Sequence, residues 1–201
     1  MRQLRVAVAL TALGLCSVLS TARAELLGYY TFEGNLDDLS GNGHHGVFVG
    51  DAAIVVDPER GNVLQIPNTG HTHGVNINTV VPYAAAPAGT SFTLMAWYKR
   101  SVDTTSDFRY IVSLGANGNN PLVSLGVRSS DTIASYSETD HAQAPTQGNF
   151  DQVDVFGNTA IEGGAGAWQE WHHLAVVYDR STDWAHVYLD GVHDGSTDIS
   201  D

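Results

Sequence analysis

Lysine is almost absent from this chain of 201 residues. Lys99 is the only one, and Lys and Arg together number 9 against 22 Asp and Glu, a net charge of -13. That balance excludes a nucleic-acid-binding surface, which needs a basic footprint. Cysteine is just as scarce: Cys16 stands alone, so no disulfide can form within the chain. Charged residues are 15%, well under the roughly 25% of an average soluble domain. The only long apolar run, residues 6–19, falls short of the roughly 18 residues a membrane-spanning helix requires. No stretch after residue 24 carries a helical period. Ala84, Ala85 and Ala86 are boxed between Pro82 and Pro87, which leaves room for one turn at most. Gly-x-Ser-x-Gly elbows and phosphate-binding loops are missing too, and with them the simplest signatures of hydrolases and nucleotide enzymes.

What is present is apolar and turn-rich. Hydrophobic residues make up 43% and glycines number 21. This is enough to build a core, and it argues against disorder.

The first 24 residues read as an export signal. Arg2 and Arg5 precede the apolar run, and Ala22-Arg23-Ala24 supplies the small-x-small cleavage pattern. Cleavage near Ala24 makes Glu25 the mature start. It removes Arg2, Arg5 and Arg23 and makes the exported chain three units more negative. It also removes Cys16, and with it thiol catalysis and cysteine–zinc sites. The expected location is secreted, periplasmic or cell surface, with no transmembrane segment in the mature chain.

The remainder alternates short β-branched and aromatic runs with Gly, Asn, Asp and Pro, the pattern of many antiparallel strands. Strands are expected over residues 26–32, 45–49, 63–66, 74–78, 91–99, 109–114, 122–128, 132–137, 171–178 and 184–190, with a short one near 153–156. Residues 122–128 alternate as a strand wet on one side. Residues 91–99 are apolar on both faces and read as covered on both. The stretch 138–166 reads as a long surface loop. The fold class is therefore all-β, an antiparallel β-sandwich of jelly-roll type.

Four segments carry a family likeness. They are Tyr30-Thr31-Phe32-Glu33-Gly34-Asn35 running into Asp38-Leu39-Ser40-Gly41-Asn42-Gly43-His44-His45-Gly46; Gly61-Asn62-Val63-Leu64-Gln65-Ile66; Ser91-Phe92-Thr93-Leu94-Met95-Ala96-Trp97; and Trp171-His172-His173-Leu174-Ala175-Val176-Val177-Tyr178-Asp179 with Tyr188-Leu189-Asp190-Gly191. In order and spacing they resemble laminin G-like jelly rolls of the concanavalin A-like lectin/glucanase superfamily, of the bacterial exported type. The resemblance implies one domain over 25–201. It also implies further strands after the Asp190-Gly191 hairpin, so the last strands are expected beyond Asp201. Fold alone does not select function.

Two constellations invite chemistry. Asp38-x-Ser40-x-Asn42-Gly43 puts an oxygen-bearing side chain at every second position before a glycine, as in the first half of an EF-hand loop. Its twelfth position is Val49 rather than Glu, so it is not an EF-hand. Glu33 and Asp37 can add carboxylates, and the resemblance implies a structural calcium near this segment. The candidate ligands are Glu33, Asp38, Ser40 and Asn42. The alternative is an Asx/Gly turn that needs no metal. The second constellation is aromatic. In residues 184–190, Trp184, His186 and Tyr188 alternate with Ala185, Val187 and Leu189, so an aliphatic core face leaves an aromatic face outward. Flat aromatic surfaces with polar neighbours suit sugars. Trp184 and Tyr188, with Tyr136, Asp140 and Trp168 on or beside the long loop, are the candidate ligand contacts. Trp97 and Trp171 read as core.

His71 and His73 share a face if extended, but no third ligand stands at a useful spacing. His172 and His173 point to opposite faces of a strand. The paired carboxylates of a glycosidase strand are missing. The expectation is a non-catalytic exported recognition domain for an extracellular glycan or protein. The alternatives are a glycoside hydrolase or polysaccharide lyase on the same sandwich, or a ligand-free spacer.

Overall fold

The computed structural model describes residues 25–67, 73–77, 91–100, 109–114, 123–128, 132–138, 152–159 and 169–200. The export segment, the Ala84–86 turn, His71, Asp140, Trp168 and most of the loop at 138–166 lie outside these residues. The described residues form twelve β-strands and no α-helix, and every strand pairing is antiparallel. The chain divides into two compact units, Met1–Asn78 and Thr79–Asp201.

In the first unit, β1 (Val47–Val49) pairs with β4 (Gly74–Asn76), and β2 (Ala53–Asp57) pairs with β3 (Gly61–Gln65). The β2–β3 connection is Pro58-Glu59-Arg60. Asp57 accepts the N–H groups of Glu59 and Arg60 at 2.9 and 3.2 Å. Gly61 follows with φ 74°, the left-handed position that closes a three-residue hairpin loop.

The second unit is a sandwich of two four-stranded sheets. One has the order β12 (Val192–Asp198), β11 (Trp184–Leu189), β10 (His172–Asp179), β5 (Phe92–Tyr98). The other runs β6 (Arg109–Leu114), β7 (Val123–Val127), β8 (Ile133–Glu138), β9 (Gln152–Phe156). Strand periodicity sorts the side chains. Leu174, Val176 and Tyr178 of β10 and Ala185 and Val187 of β11 face inward onto Val123, Leu125, Val127, Ile133 and Val155. All of these are at most 1% exposed. Each such aliphatic side chain contributes roughly 1.5–3 kcal/mol by leaving water. Phe92 stacks on Tyr178 with ring centroids 4.7 Å apart.

Several sequence expectations are corrected. Residues 26–32 form no strand. Their backbone bonds to loop groups instead of a ladder: Tyr29 donates to Asp38 and accepts from Leu39, and the carbonyls of Leu26 and Leu27 accept from Asn42. β7 is buried at all five positions, because Ser124 and Gly126 are covered as fully as the valines and Leu125. β5 is the reverse: it alternates, with Met95 59% and Trp97 50% exposed. Its large outward residues belong to the surface of the sandwich and not to its core. β2 and β12 were not expected. Asp57 and Arg60 punctuate β2, and β12 reads as polar (Val192-His193-Asp194-Gly195-Ser196-Thr197-Asp198) because it lies at a sheet edge.

β12 is held in two ways. Asp190 and Gly191 have φ of 49° and 80°, as a two-residue type I′ turn requires, and so Val192 lies opposite Leu189 and His193 opposite Tyr188. The register then slips: Gly195 pairs with Val187, leaving Asp194 as the extra residue of a bulge. Asp194 turns inward and is 7% exposed. Its carbonyl accepts both N–H groups of Asn158, and its carboxylate accepts the Thr159 N–H at 3.0 Å. Thr197 Oγ1 donates to the Asp154 carbonyl. These bonds tie the last strand of one sheet to the β9 edge of the other.

Candidate functional site

The two constellations fall in different units. In the first, Asp38 is 6% exposed. One carboxylate oxygen accepts the N–H groups of Tyr29 and Ser40 at 3.0 and 2.9 Å. The other accepts the Ser40 hydroxyl at 2.8 Å and the His44 N–H at 3.0 Å. An ionised carboxylate offers about four acceptor positions, and all four are used. Burial works to raise the Asp38 pKa, but the bonds from Ser40, Tyr29 and His44 outweigh it and hold the group well below the usual carboxylate range. The same charge, after burial itself, raises the pKa of the Tyr30 hydroxyl, which donates to the His44 carbonyl at 2.6 Å.

The other expected ligands turn elsewhere. Asn42 donates to the carbonyls of Leu26 and Leu27, and Glu33 accepts from Asn62 at 3.3 Å. A calcium shell needs oxygens aimed at one point. Here N–H and O–H groups are aimed at the carboxylate, so these four residues as placed do not fit the ion. The motif works as an Asx-turn staple: Asp38 fastens the 26–30 segment to the 38–44 turn.

The second constellation lies on the outward face of the β12-β11-β10-β5 sheet. Alternation in β11 sends Ala185 and Val187 into the core, both 0% exposed, and turns Trp184, His186 and Tyr188 outward. Residues directly opposite across strands share a face. His186 therefore stands beside Val177, Tyr188 beside Ala175, and Trp184 between Asp179 of β10 and Asp198 of β12. Across β5 the face continues with Thr93, Met95 and Trp97. Trp97 meets His173 edge-on, with ring centroids 5.2 Å apart.

β12 completes this face. The Asp190-Gly191 turn sets His193 opposite Tyr188, so it points outward. A continuous row results: Trp184 stacks on His186 at 6.3 Å, His186 meets His193 edge-on at 5.4 Å, and His193 meets Tyr188 at 5.5 Å. The Trp184 end is acidic. Asp179 is held ionised by the hydroxyl and N–H of Ser181, and Asp198 by bonds from Ser200; both pKa values lie below the usual range.

Of the expected ligand contacts, the structure brings Trp184 and Tyr188 together on one face. Tyr136 lies in β8 opposite Asp154, in the other sheet, and so does not join them. Asp140 and Trp168 lie outside the described residues. Trp171 has Lys99 over its ring at 5.7 Å. His193 was missed because β12 was missed. The signal was available: a two-residue Asp-Gly turn fixes the register that follows it.

Residues 69–201 match the family model of laminin G domains in the concanavalin A-like lectin/glucanases superfamily. The chain belongs to that family, and its fold is the family's antiparallel jelly-roll β-sandwich. No curated protein matches the sequence. Solved structures do match. One is of botulinum neurotoxin type C, whose cell entry is described as dependent on two ganglioside molecules. It shares 14% identity over 88% of this chain and 39% of that one, with a TM-score of 0.59. Another is the binding domain of botulinum neurotoxin DC in complex with rat synaptotagmin II, at 15% identity over 87% and 40%, with a TM-score of 0.60. The chain spans about two fifths of the length of these proteins. At such identity the likeness is one of fold.

Proposed function

We propose that this protein is a non-catalytic recognition domain that binds an extracellular glycan on the outward face of the β12-β11-β10-β5 sheet. The observation that carries the reading is the Trp184–His186–His193–Tyr188 row, set on a sheet whose other face is the core. Flat rings on a rigid support stack on sugar faces at little entropic cost. Asp179 and Asp198, flanking Trp184, are ionised acceptors for sugar hydroxyls. They also repel carboxylated or sulfated sugars, so neutral glycans are the expected class. The neurotoxins that carry this fold in about two fifths of the matched chain interact with gangliosides or with synaptotagmin II, which supports a binding role. Export by cleavage near Ala24 would place the domain where such ligands occur. Calcium has no part in this reading, since Asp38 is satisfied by its own turn. The test is an array of neutral and sialylated oligosaccharides probed with the full chain. Retention of neutral members supports the proposal, and an array without retention rejects it.

A further inference from the structure

We infer that His186 and His193 form a two-imidazole site for a late first-row divalent ion such as Zn²⁺, Ni²⁺ or Cu²⁺. The inference is independent of the glycan reading. His186 Nδ1 and His193 Nε2 lie 3.4 Å apart. Without a metal the two nitrogens share a long hydrogen bond, one ring donating to the other. The separation matches what a metal requires: two nitrogens each about 2.0–2.1 Å from a tetrahedral zinc are about 3.3–3.4 Å apart. The rings are inclined at 61° and are not stacked. Neutral imidazole suits these ions, whereas calcium and magnesium prefer oxygen.

The backbone is built to make this pair. The Asp190-Gly191 turn sets Val192 opposite Leu189 and His193 opposite Tyr188, which turns His193 outward, one strand over from His186. The bulge that follows His193 turns Asp194 inward to bond Asn158 and Thr159. No third His, Cys, Asp or Glu converges on the pair among the described residues. Two protein ligands therefore leave outward coordination positions for water or for a donor atom of a bound molecule.

The experiment is calorimetric titration of the full chain with ZnCl₂ and NiCl₂ at pH 7.5, repeated on His186→Ala, His193→Ala, His193→Gln and His173→Ala. One ion per chain is expected for the native protein. Each change at 186 or 193 should weaken that site by at least about tenfold, while His173→Ala leaves it intact. Far-UV circular dichroism reports folding of each variant, and His193→Gln keeps a polar side chain at an exposed strand position. Absence of binding, or binding that survives substitution at either 186 or 193, overturns the site. Loss on His173→Ala overturns it too, because the ion would then sit elsewhere on the face.

Discussion

The carboxylate of Asp190 lies 2.8 Å from His172 Nδ1 and also accepts the His173 N–H at 2.8 Å. The first residue of the β11–β12 turn thus reaches back to the start of β10, and its own N–H donates to the His173 carbonyl. A turn that needs left-handed backbone at Asp190 is fixed by three bonds to a neighbouring strand.

Acid should undo this arrangement. Burial works to raise the Asp190 pKa, but the bonds and charges of His172 and His173 outweigh it and lower it. Asp38, Asp179 and Asp198 are lowered as well. A carboxylate with a depressed folded-state pKa binds protons more weakly folded than unfolded. Its contribution is complete above the unfolded value of about 3.9 and is lost as pH falls through the folded value. Thermal midpoints should therefore fall steeply below about pH 4. Asp190→Asn should flatten that slope while lowering the midpoint at pH 7. A midpoint unchanged down to pH 3 would contradict this.

Asp38→Asn replaces one acceptor oxygen by an NH₂ facing donors, and Asp38→Ala removes both oxygens. Buried donors left without an acceptor are costly. Either change should lower the unfolding midpoint by on the order of 5–10 °C. Chelator should leave the native midpoint where it is. A shift of several degrees between calcium and chelator would restore the calcium reading of this loop.

The two faces of the sandwich predict opposite sensitivities. Leu125→Ala, at 0% exposure, should cost about 2–5 kcal/mol in urea unfolding. Met95→Ala, on the outward face, should change stability by no more than about 0.5 kcal/mol. Equal costs would mean that the β5 face is covered.

Gly195→Ala probes the bulge. A Cβ at 195 would collide with the carbonyl oxygen of Phe156, which is backbone and cannot swing aside. The strand must move from β9, at a cost of roughly 1–3 kcal/mol. Hydrogen exchange should show faster exchange of the Asn158 and Thr159 amides, which bond to Asp194.

Much of this was legible in the sequence, and the failures are instructive. β6 is legible end to end, and β10 and β11 within a residue or two, because apolar alternation over a half-buried strand is a direct trace of its two environments. The Asp190-Gly191 turn was legible for the same local reason. The β5 and β7 faces are not legible in the sequence, because periodicity reports polarity, whereas cover depends on neighbours. Ser124 and Gly126 are small enough to be buried, and Met95 and Trp97 are apolar yet face outward. Residues 26–32 look like a strand but find their hydrogen bonds in side chains of the following turn. The oxygen-rich spacing at Asp38 marked a real focus of interactions but did not reveal its sign, since an Asx turn and a cation loop use the same residues. The outward placement of Trp184 and Tyr188 is legible from alternation. His193 is not legible from polarity because it lies in a polar edge strand; only the Asp190-Gly191 turn marks its register.

The central claim, that the outward face carrying Trp184 and Tyr188 is the recognition surface, is tested most directly by calorimetry. The ligand is the neutral oligosaccharide best retained on the array. Trp184→Ala and Tyr188→Ala should each weaken binding by at least about tenfold, or about 1.4 kcal/mol. Val56→Ala, 79% exposed in the other unit, should leave it unchanged. Affinity unaltered by the loss of both rings would contradict the account.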